Sequence, residues 1–483
     1  MRYLSLFFLL LVPSLLVAQQ TFYQPFEVDS VAEPRGGLSY LGSFIQANLR
    51  KPIQAEALGI GGRVVLTGVV ETDGSVSDIK VLTSLQPDCD REAMRVFNLF
   101  KAWKPATKAG KSVRQLVTIP VQFKKSTPFV YRNGVRIDYF GKDGKPLSAD
   151  SSQAVYRRMT PLDTNQIPTG DVVVYERKNG LWNEYFRLLL VRKKHAQKNS
   201  SGKFQYTLGT QNYKQDWEGI RLVVDEDNKR ISEAYYEKSM PVGPSLEFYP
   251  TGMVAEKGDK VDEKTVETAW YANGQIKHVK TFNKESPLSE SEQITALWDS
   301  TGSQMIKEGN GRVTYRNREE SNRDTTTSTM FIEEGNYENG FKQGLWTGRY
   351  EDGSYYYEEQ YDKGVCQSGK AKSLGKDTVQ YNEVLKQAEF SGGMSGLGKF
   401  LSENLHYPTK AQRANAEGRV FVSFVVCTDG TLCDYEVIKS VYRDLDEEAV
   451  RVVKKMSGKW TPGYHRGEKV RVKYNLPVNF SLH

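Results

Sequence analysis

From residue 62 to residue 82 the chain runs through two apolar stretches broken by a short polar turn. Gly62-Arg-Val-Val-Leu-Thr-Gly-Val-Val70 is apolar enough for a buried strand, and Val76 to Leu82 is its return. Between them, Thr72-Asp-Gly74 signals a hairpin, because Asp and Gly tolerate the dihedrals a tight turn needs. The acidic run Asp88–Glu92 then predicts a helix start, since negative charge complements the helix dipole. Trp103-Lys-Pro105 ends that helix, because the residue before a proline disfavours the α region. A last strand, Val113–Phe123, closes the pattern. The same grammar returns in Gly418–Val426, Thr428-Asp-Gly430, Leu432–Ile438, Asp444–Glu448, Trp460-Thr-Pro462 and Val470–Phe480. There Ala449, Val450, Val452, Val453 and Met456 give the helical stripe.

The two stretches are copies. Phe44-Ile-Gln-Ala-Asn-Leu-Arg-Lys-Pro52 matches Phe400-Leu-Ser-Glu-Asn-Leu-His-Tyr-Pro408, an offset of 356 residues that holds to Ala93/Ala449. One inserted residue then makes it 357, from Trp103/Trp460 to Phe123/Phe480. Each copy reads helix, strand, strand, helix, strand, an antiparallel three-stranded sheet packed on helices. The expected fold class is therefore α+β, with modules at 33–125 and 385–483.

Residues 126–384 follow another pattern: an aromatic residue, then Asn/Asp-Gly, then polar–apolar alternation. Tyr131-Arg-Asn-Gly134, Trp270-Tyr-Ala-Asn-Gly274 and Tyr337-Glu-Asn-Gly340 are examples. This predicts an all-β hairpin meander between the modules. Its best stretch, Gly335 to Tyr350, resembles MORN-type repeats. The polar stretches Arg187–Lys203 and Glu319–Ser328 read as mobile loops.

The N-terminus bears on compartment. Arg2 precedes an apolar run to Val17 that is interrupted by Pro13, with Ala18 before Gln19. That predicts a signal peptide over 1–18 and an exported, periplasmic protein. If the segment is retained, the protein associates with the membrane instead. In an oxidising space Cys427 and Cys433, which flank one predicted turn, either pair or remain free thiols.

Composition adds charge. The chain of 483 residues has 66 basic and 59 acidic residues, a net charge of +7. Residues 40–125 hold 13 basic against 7 acidic, residues 385–483 hold 15 against 11, and the middle is close to balanced. An exported protein does not meet nucleic acid, so the surplus reads either as attraction to acidic envelope partners or as a basic soluble surface.

Both copies resemble the C-terminal domain of TonB-type energy transducers. The resemblance rests on Phe390-Ser-Gly-Gly-Met394, Tyr407-Pro408, Ala416-Glu-Gly-Arg-Val420, Thr428-Asp-Gly430, Leu445-Asp-Glu-Glu-Ala449, Trp460-Thr-Pro462, Gly467, Val470-Arg471 and Leu476-Pro-Val-Asn-Phe480. The first copy departs at Lys51, where the family has tyrosine, and at Asn98-Leu-Phe100. The resemblance implies a periplasmic protein that binds segments of a TonB-dependent outer-membrane receptor, or another envelope protein, by β-strand addition. Such binding would serve energy-dependent transport across the outer membrane. It places the docking edge at Val470, Arg471, Val472, Lys473 and Tyr474, with a weaker copy at Val113, Arg114 and Val117. The alternative is an envelope scaffold whose edges are capped by neighbouring modules. The 18 prolines form no Pro-rich stalk, which favours a binding module over a motor.

No enzyme is expected. Gly393-Met-Ser-Gly-Leu-Gly-Lys399 has phosphate-loop spacing but lacks the following hydroxyl residue. The five histidines have no metal-ligand spacing, and no catalytic residue, metal or cofactor is read from the chain.

Overall fold

The computed structural model describes residues 22–148, 150–198, 202–282, 292–324 and 326–482, so the expected leader at 1–18 lies outside the described residues. The α+β expectation, small helix-packed modules flanking a hairpin meander, is overturned. The described residues are mostly strand, 53% against 14% helix, and 21 of the described strands belong to antiparallel sheet outside the two modules. The physical reason is lateral pairing. Hairpins of this length are marginal alone, and each gains by hydrogen-bonding to the next. The chain divides into two units, Met1–Glu285 with Ala296–Gln304, and Ser286–Thr295 with Met305–His483.

In the first unit, helices α1 (Leu38–Asn48), α2 (Ile53–Ala57) and α3 (Pro87–Leu99) pack on a three-stranded sheet. The order of that sheet is Val76–Thr83, Gly62–Val70, Gln115–Phe123. Glu92 and Arg95 on α3 secure the end of α1: Arg95 bonds Glu92 at 2.7 Å and donates to Asn48 O at 2.8 Å, while Arg50 N donates to Glu92 Oε1 at 2.6 Å. The core of this module extends beyond it. Phe44, Phe97, Phe100 and Trp103 share one cluster with Met253, Trp270, Ile276 and Trp298. Phe100, at the first copy's departure from the family pattern, sits 5.3 Å from Phe44.

Successive strands of this unit pair antiparallel from Tyr156–Pro161 to Ile276–Phe282. The stretch expected as a loop from Arg187 belongs to an 18-residue strand, Leu181–Lys198. Its basic side chains lie over aromatic rings of neighbouring strands: Arg192 over Tyr206 at 4.3 Å and Lys194 over Phe204 at 3.3 Å. Long cationic stems thus cover ring faces, and polarity does not prevent strand formation. Asn310–Glu320 and Ser328–Glu338 pair down to Glu320↔Ser328, so the second expected loop keeps its irregular centre and loses only its ends, Glu319, Glu320 and Ser328, to the ladder.

Glu256, Glu267 and His278 meet on three successive strands of the first unit. His278 Nε2 lies 2.8 Å from Glu267 Oε1. Burial, and then the neighbouring Glu267 carboxylate, push the Glu256 carboxyl up to about 7. The hydrogen bond with His278 holds Glu267 below its usual range, while burial lowers His278.

In the second unit, α4 (Gly393–Asn404), α5 (Thr409–Arg413) and α6 (Arg443–Lys454) pack on strands in the order Leu432–Lys439, Gly418–Val426, Val472–Phe480. This core is drawn from within the module, from Ala388 to Phe480. The sheet strands of the same unit carry glycines beneath aromatic rings. Gly348 is the register partner of Tyr357, and Gly369 of Tyr381. A Cβ on Gly348 would lie 2.1 Å from the Tyr357 ring, and one on Gly335 would lie 2.2 Å from Trp346. Sheet and module are joined inside this unit by a buried ion pair. Fully buried Glu359 receives Arg466 Nε at 2.7 Å, Tyr361 OH at 2.9 Å and Tyr381 OH at 2.8 Å. The Arg466 guanidinium lies 3.6 Å over the Tyr357 ring. Burial opposes the charge on Arg466, and Glu359 outweighs it, driving its pKa up.

Two predictions follow from these buried charges. Arg466→Ala strands the Glu359 carboxylate and should cost about 3–5 kcal/mol in denaturant unfolding, whereas Arg466→Met with Glu359→Gln should cost clearly less. The fold favours neutral Glu256, so its contribution is full below the unfolded carboxyl value and is lost as pH rises through about 7. His278 has the opposite sign but is common to both proteins compared. Glu256→Gln should therefore raise Tm over the parent at pH 8, with the difference shrinking towards pH ~5.

Candidate functional site

Val472–Phe480 pairs on one side with Gly418–Val426, in register from Val426↔Val472 to Gly418↔Phe480. Among the described residues no strand pairs with its other side, so it is an edge. Pro477, opposite Phe421, cannot donate to the ladder and must therefore occupy a position facing away from it. Alternation then turns the backbone groups of Lys473 and Asn475 outward as well.

The five residues expected to form the docking edge are divided between two strands. Val470 ends the short strand Glu468–Val470, which pairs with Gly463–His465; Arg471 lies at the break; Val472, Lys473 and Tyr474 begin the edge strand. Arg471 donates to Asp434 Oδ2 at 2.6 Å and approaches Cys433 Sγ at 3.3 Å. Tyr474 stacks on Phe424 with centroids 5.7 Å apart and meets Trp460 edge-on at 4.9 Å. Beside it opens a cavity of about 430 Å³ whose apolar lining includes Phe390, Met394, Leu397, Trp460 and Tyr474. Met394 is 74% exposed, large for such a side chain. These pocket residues were missed as site residues, although Phe390-Ser-Gly-Gly-Met394 carried part of the family resemblance.

The first copy differs at the same place. Its equivalent strand, Gln115–Phe123, is also last in its sheet, but the chain's own N-terminal segment bridges its start. Tyr23 N donates to Arg114 O at 2.9 Å, and Leu116 N donates to Tyr23 O at 2.9 Å, in a parallel bridge. The segment continues along the module through Ser30 with Thr107 and Glu33–Pro34 with Trp103–Lys104. By the offset of 357, Leu116 corresponds to Lys473. In the second unit the chain before the module takes another course: Val379–Tyr381 pairs with the strand Val365–Ser373. Of the first copy's expected site residues, Val113 belongs to a short hairpin strand and Val117 is buried. Arg114 is bound by Glu71 at 2.8 Å and Asp78 at 3.7 Å.

The thiols of Cys427 and Cys433 lie 2.6 Å apart at the base of the Thr428-Asp-Gly430 turn, and both are free cysteines. In the first copy these positions are Glu71 and Ser77, where Ser77 Oγ donates to Glu71. A cysteine pair thus replaces a hydrogen-bonded Ser–Glu pair beside the module's arginine. Gly393–Lys399, the stretch with phosphate-loop spacing, forms the first turns of α4 and not a loop, and from Gly396 onward its backbone N–H groups are committed to the helix. The atoms of Glu256, Glu267 and His278 lie within 4.8 Å of one another, a grouping able to hold a metal ion that spacing along one strand could not reveal. No described helix is long and apolar enough to cross a membrane.

A search of curated proteins finds no match. Two NMR solution structures of the Helicobacter pylori TonB C-terminal domain are similar to part of this chain, each at 26% identity. One covers 19% of this chain and 80% of its own with a TM-score of 0.16; the other covers 18% and 91% with 0.15. The matching family is one of envelope domains that bind and transduce energy rather than catalyse. Residues 48–124 and 403–482 both match the family model described as Gram-negative bacterial TonB protein C-terminal.

Proposed function

We propose that this is an exported envelope protein whose C-terminal module captures an extended segment of a TonB-dependent outer-membrane receptor by strand addition along Val472–Phe480. The capture would serve energy-dependent transport across the outer membrane. One observation carries the reading. The last strand of the second module is an unpaired edge beside an apolar cavity, while the first module's equivalent edge is bridged by Tyr23. Outward N–H and C=O groups would supply affinity, and the cavity at Trp460 and Tyr474 would take one side chain of the incoming strand. The first module is better suited to a structural role, the scaffold reading, because its core is continuous with the sheet of its unit. The likeness of the middle to MORN-type repeats belongs to the same proposal and is supported by aromatic rings seated over Gly335, Gly348 and Gly369. In an oxidising compartment Cys427 and Cys433 would join as a disulfide at the turn beside Arg471.

Titrating the mature full chain with a TonB-box peptide should give saturable binding of one peptide per chain. Lys473→Pro, which removes one outward donor, should weaken binding roughly tenfold or more with little change in Tm. Absence of saturable binding, or equal affinity in this variant, would leave the scaffold reading. For the cysteines, protein taken from the periplasm and alkylated without reduction should carry no label on Cys427 or Cys433, and should take up two labels after reduction.

A further inference from the structure

The first unit holds a cavity of about 640 Å³ that is separate from both docking strands. Its volume falls in the range of small-molecule sites. Five cations line it: Arg50, Lys51, Arg136, Arg158 and Arg230. Three are compensated. Arg136 pairs with Glu56 at 3.1 Å and Asp138 at 3.0 Å, Arg158 pairs with Asp138 at 3.1 Å, and Arg230 pairs with Glu233.

Arg50 and Lys51 are different, for the hydrogen-bond partners of their side chains are neutral. Arg50 Nη2 donates to Gly252 O at 3.1 Å, and its guanidinium lies 5.6 Å over Phe248. Lys51 Nζ donates to Lys124 O at 2.8 Å and to Ser126 Oγ at 2.7 Å. Among the described residues neither forms an ion pair. Burial lowers the pKa of both, and for Arg50 the repulsion of Arg230 and Arg95 adds to it, against the weaker pull of Glu233 and Glu92 on Arg50 and of Glu56 on Lys51. Arg50 is exposed and Lys51 half-buried, so both remain reachable from solvent while facing the cavity without an ion-pair partner.

The second copy lacks this pair of cations. At the same two positions it has His406 and Tyr407. The Tyr407 hydroxyl donates to Ala416 O at 2.6 Å, and its ring packs edge-on against Phe480 at 5.7 Å. A neutral aromatic residue therefore suits this position in the module. The first copy places a cation there, next to another cation and facing a cavity.

We propose that this cavity binds a small organic anion, whose carboxylate or phosphate oxygens are the missing partners of Arg50 and Lys51. Bidentate guanidinium and point-charge ammonium donors suit such oxygens. The cavity is far larger than one anionic group, so the ligand carries further polar atoms. Glu218, which pairs with no cation among the described residues and accepts from Asn212 at 3.1 Å, offers an acceptor for a hydroxyl or ammonium group on it.

The test is calorimetry on the mature full chain with citrate as the carboxylate probe and glycerol 3-phosphate as the phosphate probe. Saturable binding of either is expected, and which one binds distinguishes the two chemistries. Arg50→His with Lys51→Tyr, which installs the second copy's residues, should weaken that binding by roughly tenfold or more. The unliganded Tm should hold, because neither side chain forms an ion pair among the described residues. Lys51→Met is the second variant, should the double change disturb folding; it should also weaken binding and leave near-UV dichroism unchanged. Saturable binding of neither probe, or undiminished binding in a folded variant, would overturn the proposal.

Discussion

An antiparallel sheet leaves a row of unpaired N–H and C=O groups wherever it ends, and the treatment of those ends organises both units. Within the hairpin region the difficulty is deferred, since each strand is completed by the next. The three-stranded sheets of the modules cannot defer it, having two edges and too few strands to hide them. In the first module Tyr23 satisfies part of the last strand, and the segment to Pro34 lies along the remaining hairpins. In the second module the preceding chain is committed to the strand Val365–Ser373 and leaves the equivalent row open. One fold thus presents a closed edge and an open one, and the difference lies in where the preceding chain goes.

The duplicated modules share anchor positions in their interiors and differ elsewhere. Phe44 and Phe400, Trp103 and Trp460, and Phe123 and Phe480 hold equivalent places, as do the Glu–Arg pairs that secure the first long helix. Other positions set the two copies apart. Glu71 and Ser77 become Cys427 and Cys433, Lys51 becomes Tyr407, and Ala109 becomes Arg466, the cation that reaches Glu359. Specialisation has been added to a shared framework whose interior is itself repacked, for Gly68 and Phe97 in the first copy become Phe424 and Val453 in the second.

Much of the local structure was legible in the residues. The two Thr-Asp-Gly turns, the acidic starts of the second long helices and the Asn-Gly hairpins act through short-range dihedral and electrostatic preferences, which sequence displays directly. What escaped is non-local. Lateral continuity of the strands depends on partners many residues apart, so the weight of the fold shifted from α+β to sheet. The strand Leu181–Lys198 looked like a loop because its Arg and Lys residues find aromatic faces only on the neighbouring strands. The pairing of Tyr23 with Gln115, and the meeting of Glu256, Glu267 and His278, likewise have no signature in spacing along the chain.

The glycines beneath Trp346, Tyr357 and Tyr381 carry a consequence for how this sheet can change over time. Each ring occupies the volume that a side chain on its glycine would need. Neither member of such a pair can be replaced alone without a clash or a void, so single substitutions there are blocked. A whole hairpin brings its own glycine, its own ring and its own turn. The region is therefore free to lengthen or shorten by duplication and loss of complete hairpins, while point drift within each pair is held in check.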